Sequence, residues 1–347
     1  MSGGDDRIRT CEGLLTLNGL ANRRLQPLGH ISVPFQAKTN SSRRPQIVKV
    51  TNCRLDSVIN SDRVAKLTMG LSRRHFLAGI VSTPLVALSA ASAYATLIEP
   101  FEYLISKTDV YIKDLPERFE NYRITQLTDI HHSRILAIDE VRRVVHLAQQ
   151  TNPDLFVLTG DYSTSYRRYI EPCAETLGSL SAPDGVWAVL GNHDHYTDPE
   201  LTTRALERQH IAVLNNKNTS IRRGSDMLQL SGIDDWSWNA TDWVKGFVGL
   251  NKKIPTILLS HQPSVLELEQ TQDVSLILSG HTHGGQIKLP WLGTPAKFAT
   301  RDLRFTQGLF RHNDVQLYVS SGTGVIGLPI RFGVRPEIAV LRLKRAD

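Results

Sequence analysis

Histidine and aspartate recur in this chain at the ends of short apolar runs. Val274, Leu276, Ile277 and Leu278 lead into Ser279-Gly280-His281-Thr282-His283-Gly284-Gly285. Two imidazoles one residue apart, backed by glycines that let the backbone come close, can each offer a ring nitrogen to a metal ion. Similar runs deliver Asp129 and His131, Gly160-Asp161, Gly191-Asn192-His193-Asp194, and His261. Nitrogen and oxygen donors without a thiolate suit manganese, iron, zinc or a similar ion, and one shared carboxylate could bridge two of them. Singly, each group has an ordinary explanation. An Asp after a strand is commonly a turn former or helix cap, a Gly-Asn pair is a common turn, and a surface His-x-His is commonly two solvated rings. The joint occurrence of nine such residues is what points to a metal centre.

These groups need elements to position them. Residues 110–112 and 122–128 read as strands, the second ending at Asp129-Ile130-His131. Asp139 reads as the N-cap of a helix over 140–150, where Val141, Val144, Val145 and Ala148 share one face. A strand over 155–158, a helix over 170–180 and a strand over 186–190 follow, so three successive strand ends present polar groups at one edge. Open α/β sheets carry their chemistry at such carboxyl ends. Further strands are expected over 211–214, 227–231, 254–260, 274–279, 315–320 and 338–343, with a helix over 200–210 and a weaker one over 265–270. Strands outnumber helices in this half, so two packed mixed sheets flanked by helices fit better than one doubly wound sheet.

Asp129-x-His131, Gly160-Asp161, Gly191-Asn192-His193-Asp194, His261 and Gly280-His281-Thr282-His283 resemble, in order, the five motifs of the calcineurin-like metallophosphoesterase family. The resemblance runs from about Asp109 to the C-terminus. It implies a four-layer αββα sandwich of two mixed β-sheets flanked by helices, holding two divalent or trivalent metal ions (Mn, Fe or Zn). Carried over residue by residue, it implies that Asp129, His131, Asp161 and His283 hold one ion, and that Asp161, Asn192, His261 and His281 hold the other. A hydroxide bridging the two would attack the phosphorus of a phosphodiester or pyrophosphate. His193 would stabilise developing charge or protonate the leaving oxygen, with Asp194 holding its ring. The segment from Ser321-Gly322-Thr323-Gly324 to Leu328-Pro329-Ile330-Arg331-Phe332-Gly333 resembles the exported bacterial branch, itself similar to secreted phosphodiesterases and to enzymes that cleave the pyrophosphate of a UDP-linked acylated glucosamine. Two rival readings stay open: an exported metal-binding protein without turnover, and a nuclease of the same fold.

The formal charge of +6 lies wholly in residues 1–68, which hold eleven basic and five acidic residues, while the other 29 basic and 29 acidic residues cancel. Without the leader nothing suggests nucleic acid. Cys11 and Cys53 also lie in the leader, so Cys173 is alone in the rest and an internal disulfide framework is not expected. Residues 1–68 show no sustained period and read as a disordered leader. From Met69 the text changes to Arg73-Arg74, an apolar run over 77–88 and Ala90-Ala91-Ser92-Ala93-Tyr94-Ala95. That order of charged, apolar and small residues over 69–95 looks like a twin-arginine signal peptide. Translation is therefore expected to begin at Met69, with cleavage after Ala93 or Ala95 and a metallophosphoesterase domain over 96–347. The implied partner is the Tat translocase, and the implied location is the periplasm, cell wall or outer face of the cytoplasmic membrane. An uncleaved signal would leave a membrane anchor.

Other residues near the motifs have more ordinary readings. His132 and His195 are expected to be supporting or solvated rings. Tyr196 could face substrate or pack. Trp236, Trp238 and Trp243 could line a pocket, touch lipid or join the core. Arg331 and Arg335 could bind a distal phosphate or make surface ion pairs.

Overall fold

The computed structural model describes residues 73–298 and 302–346. The expected leader and the start of the expected signal, residues 1–72, lie outside the described residues. The first described element is helix α1, Arg73–Leu97, whose last turn is joined to the domain. Ala95 is buried, its carbonyl accepts the Arg331 N–H at 3.0 Å, and Glu99 just beyond it is buried with its carboxylate on the Val334 N–H at 2.8 Å. Both expected cleavage points fall inside this helix. Among the described residues no helix is long and apolar enough to cross a membrane.

The first sheet contains β1 (Leu104–Ile112), β2 (Arg123–Leu127), β3 (Leu155–Thr159), β4 (Val186–Val189), β5 (Ala212–Val213) and β12 (Glu337–Arg345), in the order β1-β12-β2-β3-β4-β5. β2 to β5 run parallel, and β12 enters antiparallel to β2. The second sheet contains β6 (Lys217–Arg223), β7 (Asp226–Gly232), β8 (Thr256–Leu259), β9 (Leu276–Ser279), β10 (Gly308–His312) and β11 (Val315–Val319), in the order β10-β11-β9-β8-β7-β6. Its four inner strands are parallel, and its two edges, β6 and β10, are antiparallel to their neighbours. The inner strands are apolar on both faces because both faces are covered. In β3, Leu155 and Val157 point between the sheets while Phe156 and Leu158 point outward under helices. In β9, Leu276 and Leu278 face inward and Ile277 outward.

The outer layer on the first sheet is made of α2 (Ile138–Gln149), α3 (Ile170–Leu177) and α5 (Pro199–Arg208). Val141, Val144, Val145 and Ala148 of α2 are all buried, as their spacing predicts. Asp139 is not the N-cap, however. The helix starts one residue earlier with extended Ala137 before it, and Asp139 sits in the first turn, where its charge suits the helix dipole and pairs with Arg142 at 2.6 Å. On the second sheet the outer layer is thin. It consists of α6 (Trp243–Phe247) and the 3₁₀ turns Pro263–Glu267 and Glu269–Thr271, where one longer helix was expected. The architecture is two mixed sheets flanked by helices, and helix α4 (Asn192–Thr197) lies at the edge that carries the chemistry.

Candidate metal centre

The carboxyl ends of β2, β3, β4, β8 and β9 all open onto one place. There the backbone leaves ordinary strand geometry: Asp129 (φ 50°), His131 (51°), Asp161 (59°), His281 (70°) and His283 (51°) are all left-handed. Such conformations cost free energy at non-glycine residues and persist where surrounding bonds fix them. The bonds here are mutual. Asp129 N donates to the Gly160 carbonyl and His131 N to that of Asp161, each at 3.0 Å, so the loops after β2 and β3 hold each other. Gly280 and Gly191 are required by closeness. An added Cβ would fall on the Asp129 carboxylate in the first case and the Asp161 carboxylate in the second.

Seven of the expected residues converge as two groups sharing one oxygen. Asp161 Oδ2 lies 3.4 Å from His131 Nε2 and 3.2 Å from His261 Nε2. On one side, His283 Nε2 is 3.3 Å from Asp129 Oδ1 and 3.1 Å from His131 Nε2. On the other, Asn192 Oδ1 is 3.1 Å from His261 Nε2 and 3.0 Å from His281 Nδ1, and those two ring nitrogens are 3.2 Å apart. Ring nitrogens aimed at a common point at this spacing repel unless a proton or cation lies among them. About 3 Å is the separation expected of atoms sharing an ion at bonds of roughly 2.1 Å. The far sides of the rings also agree. His261 Nδ1 faces the Thr159 carbonyl at 2.7 Å and His131 Nδ1 faces Thr164 Oγ1 at 2.9 Å, which leaves Nε2 of each for the centre. Asp129, His131 and His283 form one group able to hold a metal ion, and Asp129, Asp161 and His261 another.

The protonation states fit cation binding. Burial pushes His131 down to about 3 and His283 well below its usual range, and burial with the neighbouring His261 lowers His281, so these rings are neutral donors at pH 7. Burial acts to raise Asp161, but the His261 and His131 rings outweigh it and keep the carboxylate ionised. His261 is raised in turn, because the Asp161 carboxylate outweighs the burial that disfavours its cation. The buried Asp161 carboxylate calls for positive charge, which the His261 proton supplies and a bound cation would displace.

Asp194 does not hold the His193 ring. It is fully buried and its carboxylate accepts the backbone N–H groups of Asp161 (2.8 Å), Gly191 (2.9 Å) and Tyr162 (3.0 Å). A carboxylate surrounded by three amide donors fixes the loop beneath the shared ligand, so Asp194 is a positioning residue for Asp161. His193 instead packs edge-on against His131 with centroids 4.9 Å apart, and its buried Nδ1 has no partner. Its own backbone N–H donates to Asp161 Oδ1 at 2.8 Å.

Arg331 does not reach substrate. It is fully buried, and its guanidinium donates to the carbonyls of Ser321 (2.8 Å), Gly322 (3.1 Å) and Gly324. Those residues form the turn that holds Asp129 from behind, with Gly324 N on the Asp129 carbonyl at 2.7 Å. Arg335 is on the surface, bonded to the Glu102 carbonyl at 3.1 Å. His132 bonds the Leu136 carbonyl at 2.9 Å, and His195 pairs with Asp234 at 2.6 Å. Asp302, which no motif signals, places a carboxylate oxygen 3.8 Å from His281 Nε2 and accepts the Ser264 N–H at 3.0 Å. Thr128 and Thr164, which hold Asp129 and His131, likewise carry no sequence signal beyond their place beside a motif.

A buried cluster of imidazoles and carboxylates around a shared aspartate, at the strand ends of a two-sheet sandwich, defines a metallophosphoesterase-type site. The model of the calcineurin-like phosphoesterase family matches residues 122–285. The metallophosphoesterase YkuE of Bacillus subtilis, whose function is uncharacterized, is 31% identical over 80% of this chain and 99% of its own length. Phosphodiesterase YaeI of Escherichia coli is 30% identical over 79% of this chain and 99% of its own. A zebrafish protein described as a transmembrane protein with a metallophosphoesterase domain is 31% identical over 84% of this chain and 68% of its own. The chain belongs to the calcineurin-like metallophosphoesterase family and is a hydrolase of phosphoester bonds.

Proposed function

We propose that the protein is a dinuclear metal-dependent phosphoesterase that hydrolyses a phosphodiester or pyrophosphate bond outside the cytoplasmic membrane. The observation that carries the dinuclear reading is Asp161 Oδ2, within 3.4 Å of His131 Nε2 and 3.2 Å of His261 Nε2, with a separate set of donors on each side. Asp129, His131 and His283 would hold one ion, Asn192, His261 and His281 the other, and Asp161 both. Bound there, the cations would neutralise the phosphoryl oxygens and acidify a water molecule. The chain's own residues supply the rest. Asp194 and the interlocked β2 and β3 loops fix Asp161, the Thr164 and Thr159 contacts on Nδ1 turn Nε2 of His131 and His261 toward the centre, and the His193 ring, its Nδ1 unpaired, delivers a proton to the leaving oxygen or stabilises its charge.

Export is supported by the Arg73-Arg74 pair, the apolar run after it and the small-residue end at Ala93 and Ala95, and the Tat translocase would be the partner. The resemblance to enzymes that cleave a nucleotide-linked acylated sugar makes such a pyrophosphate a candidate substrate. The near balance of charge outside the leader favours these over nucleic acid.

Metal content of the full chain, measured together with hydrolysis of bis-p-nitrophenyl and mono-p-nitrophenyl phosphate with and without added Mn²⁺, tests the reading. Two metals per chain and faster diester cleavage are expected. No metal and no turnover in folded protein would leave the non-catalytic alternative standing. For export, replacing Arg73 and Arg74 by lysine is expected to keep the protein in the cytoplasm, and unchanged fractionation would refute it.

A further inference from the structure

Three large aromatic side chains on segments tied to the Asn192 side of the centre are exposed by between about two fifths and three fifths: Trp236 (42%), Trp238 (50%) and Tyr196 (59%). Their backbones are anchored to residues that adjoin the expected ligands. Helix α4 begins at Asn192, so His195 and Tyr196, three and four residues on, rise from the same helix face. His195 Nε2 pairs with Asp234 Oδ1 at 2.6 Å, and its ring stacks on Trp238 with centroids 6.1 Å apart and planes 20° from parallel. From the other side, the Trp236 N–H donates to Gln262 Oε1 at 3.1 Å, and Gln262 directly follows His261. Asp235 ties the two ends together, accepting the Trp238 N–H at 3.0 Å and the Gln262 side-chain amide.

The backbone of this loop is therefore fixed while two of its indoles remain half uncovered. Trp243 shows what a tryptophan used for folding looks like in the same region. It stacks on Phe247 at 5.7 Å and packs against the core behind the second sheet. Leaving an indole half in water forgoes much of the stabilisation its burial would bring; Trp236 still leans on Trp243 with centroids 6.4 Å apart, whereas the ring that Trp238 meets is that of His195. A flat aromatic face beside a phosphoryl-binding site accepts another ring, and every base or aryl group offers one.

We propose that Tyr196, Trp236 and Trp238 form a stacking subsite for a ring-bearing substituent of the phosphoester, an aryl group or a nucleobase, and so set which ester the centre prefers. The proposal rests on the phosphoesterase reading above. His195 and Asp234 act as positioning residues, holding the Trp238 ring in its stack beside helix α4.

The test uses three diesters that release the same p-nitrophenolate and differ only in the group retained: methyl p-nitrophenyl phosphate, bis-p-nitrophenyl phosphate and thymidine 5′-p-nitrophenyl phosphate. The full-length enzyme is expected to show the lowest KM on the ring-bearing esters, and a further gain on the thymidine ester over the bis-aryl ester assigns a nucleobase. Trp238→Ala is expected to raise KM for the ring-bearing esters roughly 5- to 150-fold, the range a lost stacking contact gives, with kcat little changed. The methyl ester should move by less than about twofold, and Trp238→Phe should restore most of the loss. A uniform change across all three esters, or none, overturns the subsite while leaving the phosphoesterase reading intact. Absence of turnover on all three by the wild-type enzyme overturns both.

Discussion

On the Asp129 side of the centre Asp129, His131 and His283 are buried, whereas on the other side Asn192 is partly open and the His281 side chain is 27% exposed, with only His261 fully enclosed. The first side is backed by Arg331 and its turn, and its strained backbone is interlocked with the β3 loop. The second side is bordered by a short helix, a polar loop and exposed aromatic rings. The difference separates two tasks. A buried set of neutral imidazoles around carboxylates fixes a cation with little freedom, and an open set leaves room for water and a phosphoryl group to approach.

Replacing the shared ligand tests both sides together and should have the largest effect. Asp161→Asn is expected to lose bound metal on both sides and with it essentially all turnover, measured by metal analysis and diester hydrolysis. His193→Ala should keep its metal and lose on the order of 10²–10³ in rate, the usual effect of removing one aimed donor. Equal metal loss in the two variants would contradict their separate roles.

Chelation tests whether the two sides differ in exposure. With EDTA, metal release should be biphasic, with the faster phase from the His281 side, and His281→Ala should abolish that phase while the slower one survives. A single phase in the wild type would show that the sides are equivalent.

Arg331→Met asks whether the closed side depends on its backing. Removing the guanidinium leaves the buried Ser321, Gly322 and Gly324 carbonyls without that donor, at about 1–3 kcal/mol for each one left unsatisfied, so a loss of at least that size in urea unfolding is expected. Unchanged stability with a raised KM would instead return Arg331 to the substrate.

On the open side the test is pH. Burial acts against the His195 cation, but its bond to Asp234 outweighs this and raises the ring above its usual 6.5. A raised value means that the pair's contribution to stability is full below pH 6.5 and fades as pH rises through the folded value. NMR titration should place His195 above 6.5, and Asp234→Asn should bring it down. Smallest of all, Arg142→Ala removes an exposed helix pair remote from the centre and should change stability by less than about 0.5 kcal/mol and activity not at all.

Much of this was legible in the chain because periodicity and burial are coupled. Strands buried on both faces must be apolar throughout, so β3, β8 and β9 stand out, and the face of α2 follows from its spacing. The edge strands β6 and β10 were missed for the converse reason. With one edge in solvent, Lys217–Arg223 and Gly308–His312 carry mostly polar or exposed side chains and show no strand period.

By itself the sequence determined which residue types could form the centre and the family to which they belong, since the motifs place the same donors at successive strand ends. Tertiary structure alone decided which donors lie within reach of one another, that Asp194 supports Asp161 rather than His193, that Arg331 is a buried brace, and that Asp302 stands near His281. The reason is physical. Ligand types are written in local sequence, whereas sharing an oxygen, closing one side and opening the other depend on packing between segments from 30 to 152 residues apart.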